Sequence, residues 1–292
     1  MREQAPRRTA PLAAPDAFLA ACRLDVEVAK PGNVSEQSAG HGMVAAQFVL
    51  SARAAAAPLF TPGAPVGTRL IEAVRVTRAA VDCNTNLGIV LLVAPLAAAL
   101  DGFDAPPDAR DWHAATERVL QALDIDDARA AFRAIALANP GGLGDAPEQS
   151  VHAPPTVGLR AAMALAAARD SIARQYDNGF ADVFACCAAI APQVREGQLE
   201  TATLEAFFSF LGGWPDSHIM RKHGAALAQS VTDTAREVHA RWRDLVTNRA
   251  PLAAAAVLAR WDAELKARGL NPGTSADLTV ATLFVALAAA HA

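Results

Sequence analysis

Apolar residues in this chain recur at helical rather than strand spacing, and that periodicity constrains the fold more than any other feature. Val119, Leu120, Leu123 and Ile125 fall at such intervals, as do Leu159, Met163, Ala166 and Ala167. Alanine and leucine dominate, β-branched runs are short, and alternation of polar with apolar residues is scarce. The spacing predicts helices over 15–29, 43–57, 66–82, 87–100, 111–122 and 126–138. It predicts others over 156–176, 179–195, 200–211, 217–247 (whole or broken), 250–268 and 274–290. Asp16, Thr156 and Thr274 suit helix starts, and Gly197 and Gly269 suit helix ends. The expectation is an all-α fold: one compact domain of ten to thirteen helices over 15–292, after a disordered leader over 1–14.

Several classes of function are disfavoured by composition. With 292 residues, 52% of them hydrophobic, the chain can bury a large core without disulfides or a structural metal. A net charge of −4, with Lys and Arg spread along the sequence, argues against a nucleic-acid partner. Cys22, Cys83, Cys186 and Cys187 form no CxxC pair and read as ordinary buried thiols, which points to the reducing cytoplasm. The leader lacks the apolar stretch of a signal peptide. The two most apolar runs, 87–100 and 279–290, fall short of the roughly 18 residues needed to span a bilayer, and Pro95 interrupts the first. No membrane is expected, and a homodimer is the default for an apolar helical chain of this kind.

Five polar islands break the apolar background. Lys30-Pro31-Gly32-Asn33-Val34-Ser35 is a helix-ending turn that presents an ammonium suited to phosphate. Asp82-Cys83-Asn84-Thr85-Asn86-Leu87-Gly88 leads into an apolar helix. Its asparagines either cap that helix or hold an anion at its N-terminus. Asn139-Pro140-Gly141-Gly142-Leu143-Gly144-Asp145 reads as a flexible connector and matches no phosphate-loop pattern. Asp216-Ser217-His218-Ile219-Met220-Arg221-Lys222-His223-Gly224 gathers an acid, two imidazoles and two cations. Its histidines are five apart, which is poor spacing for zinc. In Asn271-Pro272-Gly273-Thr274-Ser275-Ala276-Asp277-Leu278, a capping box explains the pattern, while Asp277 is also placed to hold Mg²⁺ through water.

Taken in order, these islands and the stretch Arg169-Asp170…Asn178-Gly179-Phe180 resemble the triphosphoribosyl-dephospho-CoA synthase family, from about residue 18 to residue 288. The Lys-Pro-Gly turn and the Asn-Pro-Gly-x-Ser-Ala-Asp-Leu ending are the most specific parts. The resemblance implies an all-α transferase that moves the triphosphoribosyl group of ATP to 3′-dephospho-CoA and releases adenine. Under it, Lys30, Arg221 and Lys222 would hold phosphate, with Asn33, Asn84, Asn86, Asn271 and Ser275 as further substrate contacts. Asp216 and Asp277 are the candidate Mg²⁺ ligands. One of them, or Glu27, is the candidate general base, and His41 or His218 the group that assists the leaving base. Two departures stand out. Asn86-Leu87 occupies a position where relatives resemble His-Lys, and His41-Gly42-Met43 one where they tend to carry His-x-Asp-Met. The variant resembles members found beside one-carbon carrier metabolism. That leaves open another ATP-dependent step in making such a carrier, or a nucleotide-binding protein without turnover.

Overall fold

A computed structural model describes residues 11–38, 40, 42–138, 150–151 and 153–290. They form fourteen helices and, among the described residues, no strand; the only bridges are isolated, Gly40 with Met43 and Asp108 with Ala290. The first six helices are α1 (Ala14–Glu27), α2 (Ala45–Leu59), α3 (Val66–Val81), α4 (Leu87–Leu100), α5 (Ala109–Ala122) and α6 (Ile125–Ala138). After them come α7 (Leu159–Ala164), α8 (Ser171–Asn178), α9 (Ala181–Arg195) and α10 (Leu199–Gly213). The chain finishes with α11 (Ser217–His223), α12 (Ala225–Thr247), α13 (Pro251–Ala267) and α14 (Gly273–Ala288). No helix is long and apolar enough to cross a membrane among the described residues.

Helices α4 and α14 are apolar on every side, and such a helix has to be central. Accordingly α14 packs against α1, α4, α9 and α10, and Phe284 at its middle meets Trp112 and Phe18 edge to face, at 5.2 and 6.5 Å between centroids. A second core, built by α10, α12 and α13, stacks Phe208 against Trp242 and Trp261. The amphipathic helices α5 and α6 turn one face inward and leave charge outside.

Helix α4 runs over Leu87–Leu100 as expected, with Pro95 inside it. A proline lacks the N–H that would bond the carbonyl four residues back, here that of Leu91. The hydroxyl of Tyr176 donates to that carbonyl instead, at 2.7 Å, so a buried side chain satisfies the acceptor that Pro95 leaves without an amide.

The segment 156–176 is split where one helix is expected, and 217–247, expected whole or broken, is broken, which gives fourteen elements beside the expected ten to thirteen. The segment 156–176 divides into α7 and α8. Asp170 accepts from the amides of Ile172 and Ala173 and so starts a new helix in place of extending the old one. The segment 217–247 divides at Gly224, whose φ of +89° no side-chain-bearing residue adopts readily. Thr156 and Thr274 do not cap: α7 starts after Gly158, and Thr274 lies inside the first turn of α14, after Pro272. Asp16 likewise sits in the first turn of α1. Cys22, Cys186 and Cys187 are buried free thiols, whereas Cys83 is only half-buried.

Candidate functional site

A cavity of about 580 Å³ opens where α1, α4, α8, α11 and α14 converge. One wall is apolar, carrying Phe48, Leu87, Leu91, Phe132, Ile135 and Met163. The lining also carries charge, with Arg169, Arg221, Lys222 and His218 as well as Asp25, Asp170 and Asp277. A site that offers both apolar and ionic groups suits a nucleotide, whose base and phosphates call for one of each.

Four carboxylates stand in or behind this cavity, and their surroundings divide them into two kinds. Asp170 caps α8 through Oδ1, while its Oδ2 accepts from Arg221 Nη1 at 2.7 Å. Asp216 caps α11 through Oδ1, accepting from the amides of His218 and Ile219 at 2.9 and 3.1 Å. Its Oδ2 accepts from the amide and hydroxyl of Ser275, both at 2.8 Å, and thereby also caps α14. Burial pushes the Asp216 carboxyl up from its ordinary range, and the Ser275 and Ile219 hydrogen bonds pull against that rise.

Asp25 and Asp277 belong to the second kind. Asp277 lines the cavity, and among the described residues its carboxyl makes no hydrogen bond or salt bridge. Burial first, then the charges of Asp25 and Asp216, push it well above the usual carboxylate range. Gly88, in the first turn of α4, lies directly against it: a Cβ there would stand 2.0 Å from Asp277 Oδ2. The polar end of α14 therefore reaches the floor only because α4 begins with a bare backbone. Asp25 is 3% exposed, and its Oδ1 lies 3.0 Å from Lys30 Nζ but accepts no aligned hydrogen bond. Cys22, one turn back on α1, is pushed up by burial and then by the charges of both Asp25 and Asp277, as it borders the pair.

The residues singled out in the sequence distribute unevenly around this centre. Arg221, Lys222, His218, Asn33, Asn84, Asn271 and Asp277 all line the cavity. Arg221 is anchored by Asp170, and its buried Nε has no hydrogen-bond partner among the described residues. Asn33 Nδ2 donates to Asn271 Oδ1 at 3.1 Å, which ties the first island to the fifth. Asn84 accepts from the Leu87 amide at 3.2 Å and so caps α4, while Asn86 turns away toward Thr77. Ser275 faces Asp216, away from the cavity. His41 and the island Asn139–Asp145 lie outside the described residues.

Three expectations need correction. Lys30 does not reach the cavity: its side chain is fully buried, pairs with Asp25 and donates to the Asp25 carbonyl. Glu27 is exposed and pairs loosely with Arg23 at 3.9 Å. Asp216 offers a ligand no vacant direction, because both oxygens already accept two hydrogen bonds each. Conversely, Asp25 is not among the residues that the sequence islands single out. The signal that marks it is its register, since Ala17, Phe18, Ala21, Cys22, Asp25 and Val26 make the buried arc of α1. Glu27, two residues on and roughly 200° round the helix, points the other way.

The family model CitG, described as ATP:dephospho-CoA triphosphoribosyl transferase, matches residues 12–292. The chain belongs to this family. Membership makes the protein a transferase and implies ATP and dephospho-CoA as its substrates. A solved chain from Archaeoglobus fulgidus, provisionally named triphosphoribosyl-dephospho-CoA synthase, covers 83% of the transferase and 97% of itself at 20% identity, with a TM-score of 0.62. That likeness shows a shared fold. No curated protein matches.

Proposed function

We propose that the transferase binds ATP in the cavity between α1, α8, α11 and α14, breaks its N-glycosidic bond and releases adenine as the triphosphoribosyl group passes to the 2′-hydroxyl of 3′-dephospho-CoA. The observation that carries this is that one cavity gathers apolar side chains, three cations and carboxylates without hydrogen-bond partners among the described residues. Arg169, Arg221 and Lys222 are suited to a triphosphate, and the unpartnered Nε of Arg221 is a donor waiting for an acceptor. Asn33, Asn84 and Asn271 add neutral contacts. The wall of Phe48, Leu91 and Phe132 is suited to a purine face. His218 is placed to hydrogen-bond the departing adenine.

Among the described residues no group of three or more His, Cys, Asp or Glu side chains could hold a metal by itself. Mg²⁺ does not need one, since it is commonly held by one or two carboxylates together with substrate phosphates. Asp277 fits that role: it lacks a hydrogen bond among the described residues and is crowded by neighbouring negative charge that a cation would relieve. When bound, Mg²⁺ would neutralise phosphate charge and favour the ionised form of Asp277.

Incubation of the protein with ATP, Mg²⁺ and dephospho-CoA, followed by chromatography, tests the proposal. Adenine appearing only when dephospho-CoA is present is the expected result; ATP bound without adenine release would sink it. A second acceptor, in one-carbon carrier synthesis, is favoured by Leu87. This residue brings a hydrocarbon to the cavity wall where relatives resemble a lysine. Under that reading adenine is released with a different hydroxyl compound and dephospho-CoA is inert.

A further inference from the structure

We infer that Asp25 is the catalytic residue that takes the proton of the attacking hydroxyl, and that Lys30 is a positioning residue for Asp25. The inference rests on the transfer proposed above, since it assigns a base to that reaction.

The case is one of elimination followed by geometry. Of the four acids in and around the cavity, Asp170 and Asp216 have both oxygens occupied by helix-capping amides, by Arg221 or by Ser275. Any proton that Asp216 might accept would first have to displace those donors, and on Asp170 the Arg221 guanidinium hydrogen-bonds the one oxygen that keeps a lone pair. Asp277 and Asp25 keep unoccupied lone pairs, and only Asp25 has a fixed cation beside it. An ammonium that positions a carboxylate as a base must hold it while leaving a lone pair open to the incoming proton. Lys30 does this, because it donates to the Asp25 backbone carbonyl while its contact with Oδ1 has no hydrogen-bond alignment. Asp25 caps no helix and occupies a core position among Phe18, Cys22 and Val26, where an apolar side chain would be the ordinary choice.

The chemistry balances without another reactant. The hydroxyl oxygen of the acceptor forms a bond to C1′ of the ATP ribose, and the C1′–N9 bond breaks with its electron pair leaving on adenine. The hydroxyl proton passes to the Asp25 carboxylate and from there to water, and adenine takes a proton from water.

Three variants of the full chain test this, with adenine release and calorimetric ATP binding as readouts. Asp25→Asn leaves Lys30 buried without its partner, so Asp25→Asn/Lys30→Met removes both charges together and keeps the packing. Turnover of the double variant should fall by roughly 10²–10⁴, the usual contribution of a general base, with ATP affinity within about threefold of wild type. Lys30→Met alone should lower kcat and leave ATP affinity intact, a split that a phosphate ligand would not produce. A double variant turning over within about tenfold of wild type would overturn the base role. A tenfold loss of ATP affinity in Lys30→Met would overturn the positioning role. Wild-type protein that releases no adenine would instead overturn the transfer itself, and the inference with it.

Discussion

The helix starts around the cavity and the core helices that floor it use the same residue, aspartate, to opposite ends. At the helix starts, Asp170 and Asp216 accept capping amides on one oxygen and a further donor, Arg221 or Ser275, on the other. At the floor, Asp25 and Asp277 project from helices that are otherwise core and accept almost none. Acids at helix starts lower the cost of ending a helix, so they are architecture. Acids set into an apolar helix face raise the cost of folding, and a chain keeps them for chemistry.

That contrast can be broken most sharply at Asp277. Asp277→Asn should lower adenine release by roughly 10²–10⁴ while melting no earlier than wild type. Early melting, or full activity, would move Asp277 to the architectural class. Gly88→Ala attacks the same carboxylate from the α4 side, because its Cβ would stand 2.0 Å from Oδ2. Displacement of a reacting group by about 1 Å costs up to roughly 10²-fold in rate, so kcat should drop by a factor of 10–100 at unchanged fold; unchanged kcat would show that Asp277 need not sit where it does.

Asp216→Ala should do the reverse and weaken the fold first. It uncaps α11 and α14 together, at about 1 kcal/mol each, and should lower the melting temperature by about 4–8 °C. A variant that melts with wild type but has lost turnover would transfer Asp216 to the floor group.

A smaller effect lies in pH. The folded-state carboxyl of Asp277 is raised, so its neutral form stabilises the fold below the ordinary carboxylate range. This stability is lost as pH rises from that range through the raised folded value. With Mg²⁺ chelated, Asp277→Asn should gain in melting temperature over wild type as pH climbs from about 4. Adding Mg²⁺ with ATP should shrink the gap; a gap independent of pH would mean that the floor carboxyl is not held neutral.

Much of this is written in the sequence and some is not. The helices follow from apolar periodicity because burial of one face is decided by spacing alone, and α3, α4, α6 and α9 lie within two residues of their expected bounds. The break in 217–247 is legible as an alternative, but the split at Asp170 is harder to see, since it depends on one residue winning a local competition against helix continuation. Arg221, Lys222 and Asp277 are legible because polar islands concentrate them. Asp25 is not, being a lone acid in a helical pattern whose register has to be worked out before it shows as a core position. Lys30 misleads for a related reason: the Lys-Pro-Gly turn announces an exposed cation, yet the chain folds back over the end of α1 and buries it against Asp25, five residues earlier, at 3.0 Å.

The pairing of α1 with α14 also governs when the site comes into being. Asp25 and Asp277 lie on the first and last described helices, so no fragment emerging from the ribosome holds both until α14 has been made. A partly synthesised chain can build α2 through α6 from local contacts, yet it has only half the floor. The active centre is therefore a late product of assembly, and truncation within α14 would yield a folded remnant or a misfolded one, but never a slower enzyme.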